Sequence, residues 1–158
     1  MTTGSASEKG GNSAQDVVLA LGGLVVNVAA LEEALHDAIF LLAGGENQAI
    51  GVLTAGLPFR TLVDKFGALC AGLEVQRPPS KSVIEYCAHL NTLNEQRNSL
   101  IHSGWNLRDA RRGHRRFKRT AKAKTGFKLN PTAVKAEDVH LLSDQFREAE
   151  KKLWEFVP

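Results

Sequence analysis

Little in this sequence can be cross-linked, and little of it is aromatic. Only two cysteines, Cys70 and Cys87, occur in 158 residues. They have no CxxC spacing, which argues against both a disulfide framework and a thiolate metal site. They read as small buried hydrophobes of a chain kept in a reducing, cytoplasmic compartment. Aromatics are 6% of the residues, so aliphatic side chains must supply most of the core. No uninterrupted apolar run reaches the roughly 20 residues that cross a bilayer. Met1 to Gly11 is small and polar, with no apolar stretch of the kind a secretory signal needs. No membrane partner is therefore expected. There is no phosphate loop of the GxxxxGK type and no GxSxG elbow. His36, His89, His114 and His140 are scattered without metal-ligand spacing, so neither a metal nor a cofactor is expected.

What is there is a chain of single-domain length with 43% hydrophobic and 23% charged residues, the balance of a folded protein. The net charge of +3 conceals an asymmetry. Half of the 20 basic residues fall between Arg108 and Lys128, against one acid there, Asp109. The remainder of the chain is net acidic. A basic block concentrated in one segment speaks of a polyanionic partner more than an average charge does.

Periodicity divides the chain. Residues 1–13, rich in Gly, Ser and Thr, read as a mobile tail, and 14–158 as one helical domain. From Asp16 to Ala43, Val17, Leu21, Leu24, Val28, Leu31, Leu35, Ala38 and Leu42 step by three and four, the pattern of one long amphipathic helix stopped by Gly44-Gly45. Gly22-Gly23 inside it suggests a point of close helix packing. Glu46 to Gly56 predicts a short helix. Pro58 opens another, carrying Phe59, Leu62, Phe66, Leu69 and Leu73. After Arg77-Pro78-Pro79-Ser80 a helix runs from about Lys81 to His102, with Ile84, Cys87, Leu90, Leu93, Leu100 and Ile101 on its apolar stripe, ended by Ser103-Gly104. The last spans about Ala136 to Phe156, with Val139, Leu142, Phe146, Ala149, Leu153 and Phe156 on one side. The fold class expected is all-α, an up-and-down bundle of about four main helices.

Before the last helix the period changes to two. Trp105 and Leu107 alternate with Asn106 and Arg108, Arg111 to His114 reads as a turn, and alternation resumes from Arg115 to Phe127. This predicts a β-hairpin over residues 105–128. Arg116, Lys118, Thr120, Lys122 and Lys124 would share one face, and Phe117, Arg119, Ala121, Ala123 and Thr125 the other. A solvated basic loop would have no reason to place its small and apolar residues at every second position. Arg116, Lys118, Lys122 and Lys124 are the expected nucleic-acid contacts, through phosphates.

The segment Asn94 to Trp105 carries the chemistry. Asn91, Glu95, Asn98 and His102 are spaced four, three and four, and so form a polar stripe. Arg97 lies on the row of Leu90, Leu93 and Leu100, where an unpaired charge would be costly. Its partner could be Glu32, Glu33, Asp37 or a phosphate. Two readings are open. Arg97, Asn98 and His102 could brace the bundle. Alternatively, Arg97 and His102 could cleave a phosphodiester, since histidine titrates near neutral pH and can move a 2′-hydroxyl proton, while arginine can grip a phosphate.

The string Arg97-Asn98-Ser99-Leu100-Ile101-His102 resembles the RNxxxH form of the motif found in HEPN domains (higher eukaryotes and prokaryotes nucleotide-binding). The long first helix, a helix with Phe59-Arg60, the motif helix and a last amphipathic helix are similar to the order in that superfamily. The resemblance implies a helical bundle, and catalytic roles for Arg97 and His102 supported by Asn98. It also implies a metal-independent endoribonuclease acting as a homodimer, in a toxin–antitoxin or antiviral setting with an antitoxin or other protein partner. Some members keep the fold without nuclease activity. The alternative expectation is thus a non-catalytic interaction module whose basic hairpin binds nucleic acid or an acidic partner. The hairpin is not part of the family core.

Overall fold

The computed structural model describes residues 13–46, 48–73, 81–107, 115–122 and 126–158. The helices are α1 (Ala14–Leu42), α2 (Gln48–Thr54), α3 (Phe59–Leu73), α4 (Lys81–Ile101) and α5 (Ala136–Leu153), the last running into a 3-10 turn, Trp154–Phe156. Strands β1 (Gly104–Asn106), β2 (Arg115–Lys122) and β3 (Gly126–Ala133) lie between α4 and α5. The architecture is the expected helical bundle with a small antiparallel sheet inserted before the last helix.

Local chemistry accounts for the ends of α1. Ser13 belongs to the helix rather than to a tail. Its Oγ accepts from Asp16 N–H at 3.1 Å and Asp16 Oδ2 accepts from Ser13 N–H at 2.8 Å, a capping box. Residues 1–12 of the expected tail lie outside the described residues. At the other end, Gly45 N–H donates to Phe40 O and Gly44 N–H to Leu41 O, each at 3.0 Å. Gly44 takes φ +107°, which only glycine adopts without strain.

The core forms where α1 packs against α5 and α3, and α3 against α4. Val17, Leu24, Val28, Leu31 and Leu35 of α1 meet Leu62, Val63 and Phe66 of α3 and Val139, Phe146 and Leu153 of α5, all buried. Phe66, Tyr86 and Phe156 stack edge-on and tilted around one point. The Tyr86 hydroxyl donates to Ala149 O at 2.7 Å, which ties α4 to α5 and satisfies the one polar atom of that cluster. On α4 the buried row is Val83, Tyr86, Leu90 and Leu93, while Ile84, expected inside, is exposed. The buried row steps by three, four and three, it shares Leu90 and Leu93 with the expected stripe, and the position of the neighbouring helices selects Val83 over Ile84. The Gly22-Gly23 expectation holds at the second glycine and not at the first. A Cβ on Gly23 would lie 3.9 Å from Ser143 Oγ of α5, so α5 packs against that glycine, while a Cβ on Gly22 would meet nothing within 4 Å among the described residues.

The sheet has the order β1-β2-β3. The sequence pattern suggested a two-stranded hairpin across 111–114, with its second strand running to 127. Instead the chain turns back within that strand, and Lys122 pairs with Gly126 and Arg115 with Ala133. The hairpin therefore extends to Ala133. Pro131 sits in β3, an edge strand, where its missing N–H leaves few ladder bonds unmade. Residues 108–114 and 123–125, which include Arg108, Arg111, Arg112 and Lys124, lie outside the described residues.

Candidate functional site

The end of α4 is held by side chains rather than by a left-handed glycine. The Ser99 carbonyl accepts from Ser103 Oγ at 2.5 Å and from Arg116 Nη1 at 2.6 Å. The Leu100 carbonyl accepts the Trp105 indole N–H at 3.1 Å, and the Asn98 carbonyl accepts His102 N–H at 3.1 Å. These carbonyls have no partner within the helix, so the bonds close its last turn. The positive guanidinium of Arg116 also suits the negative end of the helix dipole. Arg116 Nη1 donates to Ser99 Oγ as well. Arg116 is thus half-buried and committed to anchoring β2 on α4, rather than standing free on a basic face.

The polar stripe seen in the sequence becomes the wall of two adjoining clefts. The first, about 860 Å³, is lined by Glu95, Asn98, Ser99, Ile101, His102, Ser103, Gly104 and Phe117. It is bounded by the last turns of α4 on one side and by β1 and β2 on the other. His102 is exposed at its rim, and no side-chain hydrogen bond holds its ring among the described residues. The second cleft, about 560 Å³, lies between α4, Glu32 of α1 and the Pro58 entrance to α3. Arg60, Asn91, Asn94 and Arg97 also line it. Glu95 and Asn98 are common to both, so they form the ridge between them.

Arg97 has found a carboxylate. Its Nη2 lies 3.1 Å from Glu32 Oε1 and its Nη1 donates to Asn98 Oδ1 at 2.9 Å. The Arg97 side chain is 18% exposed and that of Glu32 37%. Of the three acids and the phosphate left open by the sequence, the fold brings Glu32 to it. Arg97 Nε, Asn91 Oδ1 and Arg116 Nε are buried without a hydrogen-bond partner among the described residues.

Arg97 and His102 do not line one cleft within a chain. Five residues of helix turn the direction by about 500°, which leaves the two side chains roughly 140° apart. Asn98 joins them instead, bonded to Arg97 and facing the His102 cleft. Sequence reasoning missed the part of Ser99, whose carbonyl and hydroxyl receive Arg116, and that of Phe117, which closes the first cleft. Glu95 had been placed on the stripe but given no role, yet with His102 it makes the second titratable group of that cleft.

Of the other expected nucleic-acid contacts, Lys118 and Lys122 occupy β2 positions opposite Asn130 and Gly126. Lys124 lies outside the described residues. Among the described residues no three His, Cys, Asp or Glu side chains converge as a metal site requires. Burial raises the Cys87 thiol pKa, and Asp64 adds to the shift.

Compared with protein-family models, with curated proteins and with solved structures, the chain matches none.

Proposed function

We propose that this chain is an RNA-binding domain of HEPN type that cleaves RNA at the end of α4. The observation that supports this most is that the accessible His102 shares one cleft with Glu95, while the immobilised Arg97 lines the adjoining cleft. Asn98 is shared between them, and the basic strand β2 is anchored at the same place. An RNA strand laid across the Asn98 ridge puts a phosphate toward Arg97 and a ribose beside His102. Phosphate contacts from Lys118, Lys122 and Lys124 supply affinity without sequence information.

Cleavage then needs no redox step. One of Glu95 and His102 takes the 2′-hydroxyl proton, and the 2′-oxygen forms a bond to phosphorus. The bond from phosphorus to the 5′-oxygen breaks, and the other group protonates the departing oxygen. The products are a 2′,3′-cyclic phosphate and a 5′-hydroxyl. Positive charge at Arg97 stabilises the phosphorane as its charge grows.

The test is incubation of the purified protein with RNA in EDTA, beside His102→Ala. We expect fragments bearing cyclic phosphate ends from the wild type and none from the variant, with RNA binding retained by both. Absence of RNA binding by the wild type refutes the reading. A second reading is favoured by one observation, the enclosure of Arg97 by Glu32 and Asn98. There the three residues brace α4 against α1, and the domain binds RNA without cutting it. Binding without cleavage by the wild type selects that reading.

A further inference from the structure

The apolar side of α1 that the bundle does not use points to a partner. Its inner side is the centre of the core, yet Val18, Leu19, Val25 and Val26 are 53, 63, 52 and 66% exposed. From Val17 to Leu31 the helix carries no charge, and its one polar side chain there, Asn27, turns inward to Ser143, where Nδ2 lies 2.9 Å from Oγ. The outward surface between Val18 and Ala30 is therefore valine, leucine, alanine and glycine alone. Four side chains more than half exposed make on the order of 400 Å² of contiguous apolar surface, a size that marks an interface. That is about half of the ~800 Å² per partner of a standard dimer, with alanines, glycine backbone and the flanks available to supply the rest.

Two features identify the occupant. The first is symmetry. Gly22 lies midway between Val18 and Val26, and midway between Leu19 and Val25. When two such helices cross antiparallel with Gly22 on a two-fold axis, each Val18 meets the partner's Val26 and each Leu19 the partner's Val25. The empty space over Gly22 lets the two backbones approach closely. A two-fold interface requires this self-complementarity. The second is charge. The ionised residues of α1 are Asp16, Glu32, Glu33 and Asp37, with no lysine or arginine, and an anionic lipid surface is repelled by such flanks. By length and composition α1 could cross a membrane, but its inner face is committed to the core.

We infer that α1 forms a homodimer interface, two copies crossing antiparallel about Gly22. This stands independently of the RNA reading. Light scattering of the full chain at micromolar concentration should give twice 17.2 kDa. Val26→Asp should raise the dimer dissociation constant by roughly 100-fold, because a carboxylate would be buried against the partner's Val18. Its melt as a monomer should match that expected for an exposed substitution. Val18→Lys with Val26→Asp should restore the dimer, since the crossing sets each lysine beside the partner's aspartate. A monomeric wild type, a dimer indifferent to Val26→Asp, or a double variant that stays monomeric overturns the inference. So does a wild type that is monomeric in solution yet floats with anionic vesicles.

Discussion

Replacing Glu32 tests how the candidate site is held. Arg97 is 18% exposed and has two partners, Glu32 Oε1 at 3.1 Å and Asn98 Oδ1 at 2.9 Å. Glu32→Ala leaves the guanidinium enclosed with only the neutral amide. Breaking a fully buried pair by removing one member costs about 3–5 kcal/mol, whereas an exposed pair is worth about 0–1. Glu32 is 37% exposed, so water can reach the space its carboxylate leaves, and the cost falls between, at about 2 kcal/mol. For a chain of this length that lowers the melting temperature by about 4–8 °C, at roughly 2–4 °C per kcal/mol. Glu32→Gln keeps an acceptor without the charge and should lose about half as much. Circular-dichroism melts, with denaturant titrations to verify an unchanged m-value, measure both. If both variants melt within about 1 °C of wild type, Glu32 does not hold Arg97 in solution, and the picture of an immobilised arginine fails.

His102 is exposed, so His102→Ala should change stability by no more than about 0.5 kcal/mol while abolishing RNA cleavage; a fall of several degrees in its melt would show a structural role instead. Changing Lys118, Lys122 and Lys124 to serine, with Arg116 kept because it anchors β2, should flatten the salt dependence of RNA binding by roughly 0.7 per lost contact on a log–log plot. An unchanged slope means those side chains touch no phosphate. A Cβ on Gly67 would come within 3.1 Å of Cys87 Sγ. Gly67→Ala should therefore fail to deliver the roughly 1 kcal/mol of helix propensity it would otherwise add, and should deliver it in a Cys87→Ala background. Equal effects in the two backgrounds would sink that account of the α3–α4 contact. Tyr86 ionises only well above its ordinary range, chiefly because it is buried, and also because of Cys87 and Glu150. The unfolded chain releases that proton first, so the stability is intact below about pH 10 and declines above it, by up to about 1.4 kcal/mol per pH unit. Denaturant titrations from pH 9 to 11 on wild type and Tyr86→Phe should show a shallower decline in the variant; parallel curves contradict this.

Much of the fold was legible because its determinants are local. The three-and-four spacing of Val17 to Leu42, the Gly44-Gly45 stop, Pro58 before Phe59 and the acids at the start of α5 each act within a turn or two of helix. The stripe Asn91, Glu95, Asn98 and His102 was readable for the same reason, and it does line the clefts. What periodicity could not choose was decided by packing. Val83 rather than Ile84 faces inward because α3 and α5 lie on that side. The pairing of Gly126 to Ala133 back onto Arg115 to Lys122 was hidden because the sequence alternation runs unbroken from Arg115 to Phe127. Arg97 pairs with Glu32 and not with its neighbour Glu33, since adjacent residues on a helix point about 100° apart and the tertiary structure decides which of them is presented. The same rotation separates Arg97 from His102, although the linear string sets them side by side. Arg116 looked like one more member of a cationic face until β2 was laid against the open carbonyl of Ser99. The α1 stripe of Val18, Leu19, Val25 and Val26 is as apolar as the core in sequence. Composition fixes how much apolar surface a helix carries, and only the arrangement of its neighbours decides which part of it stays uncovered.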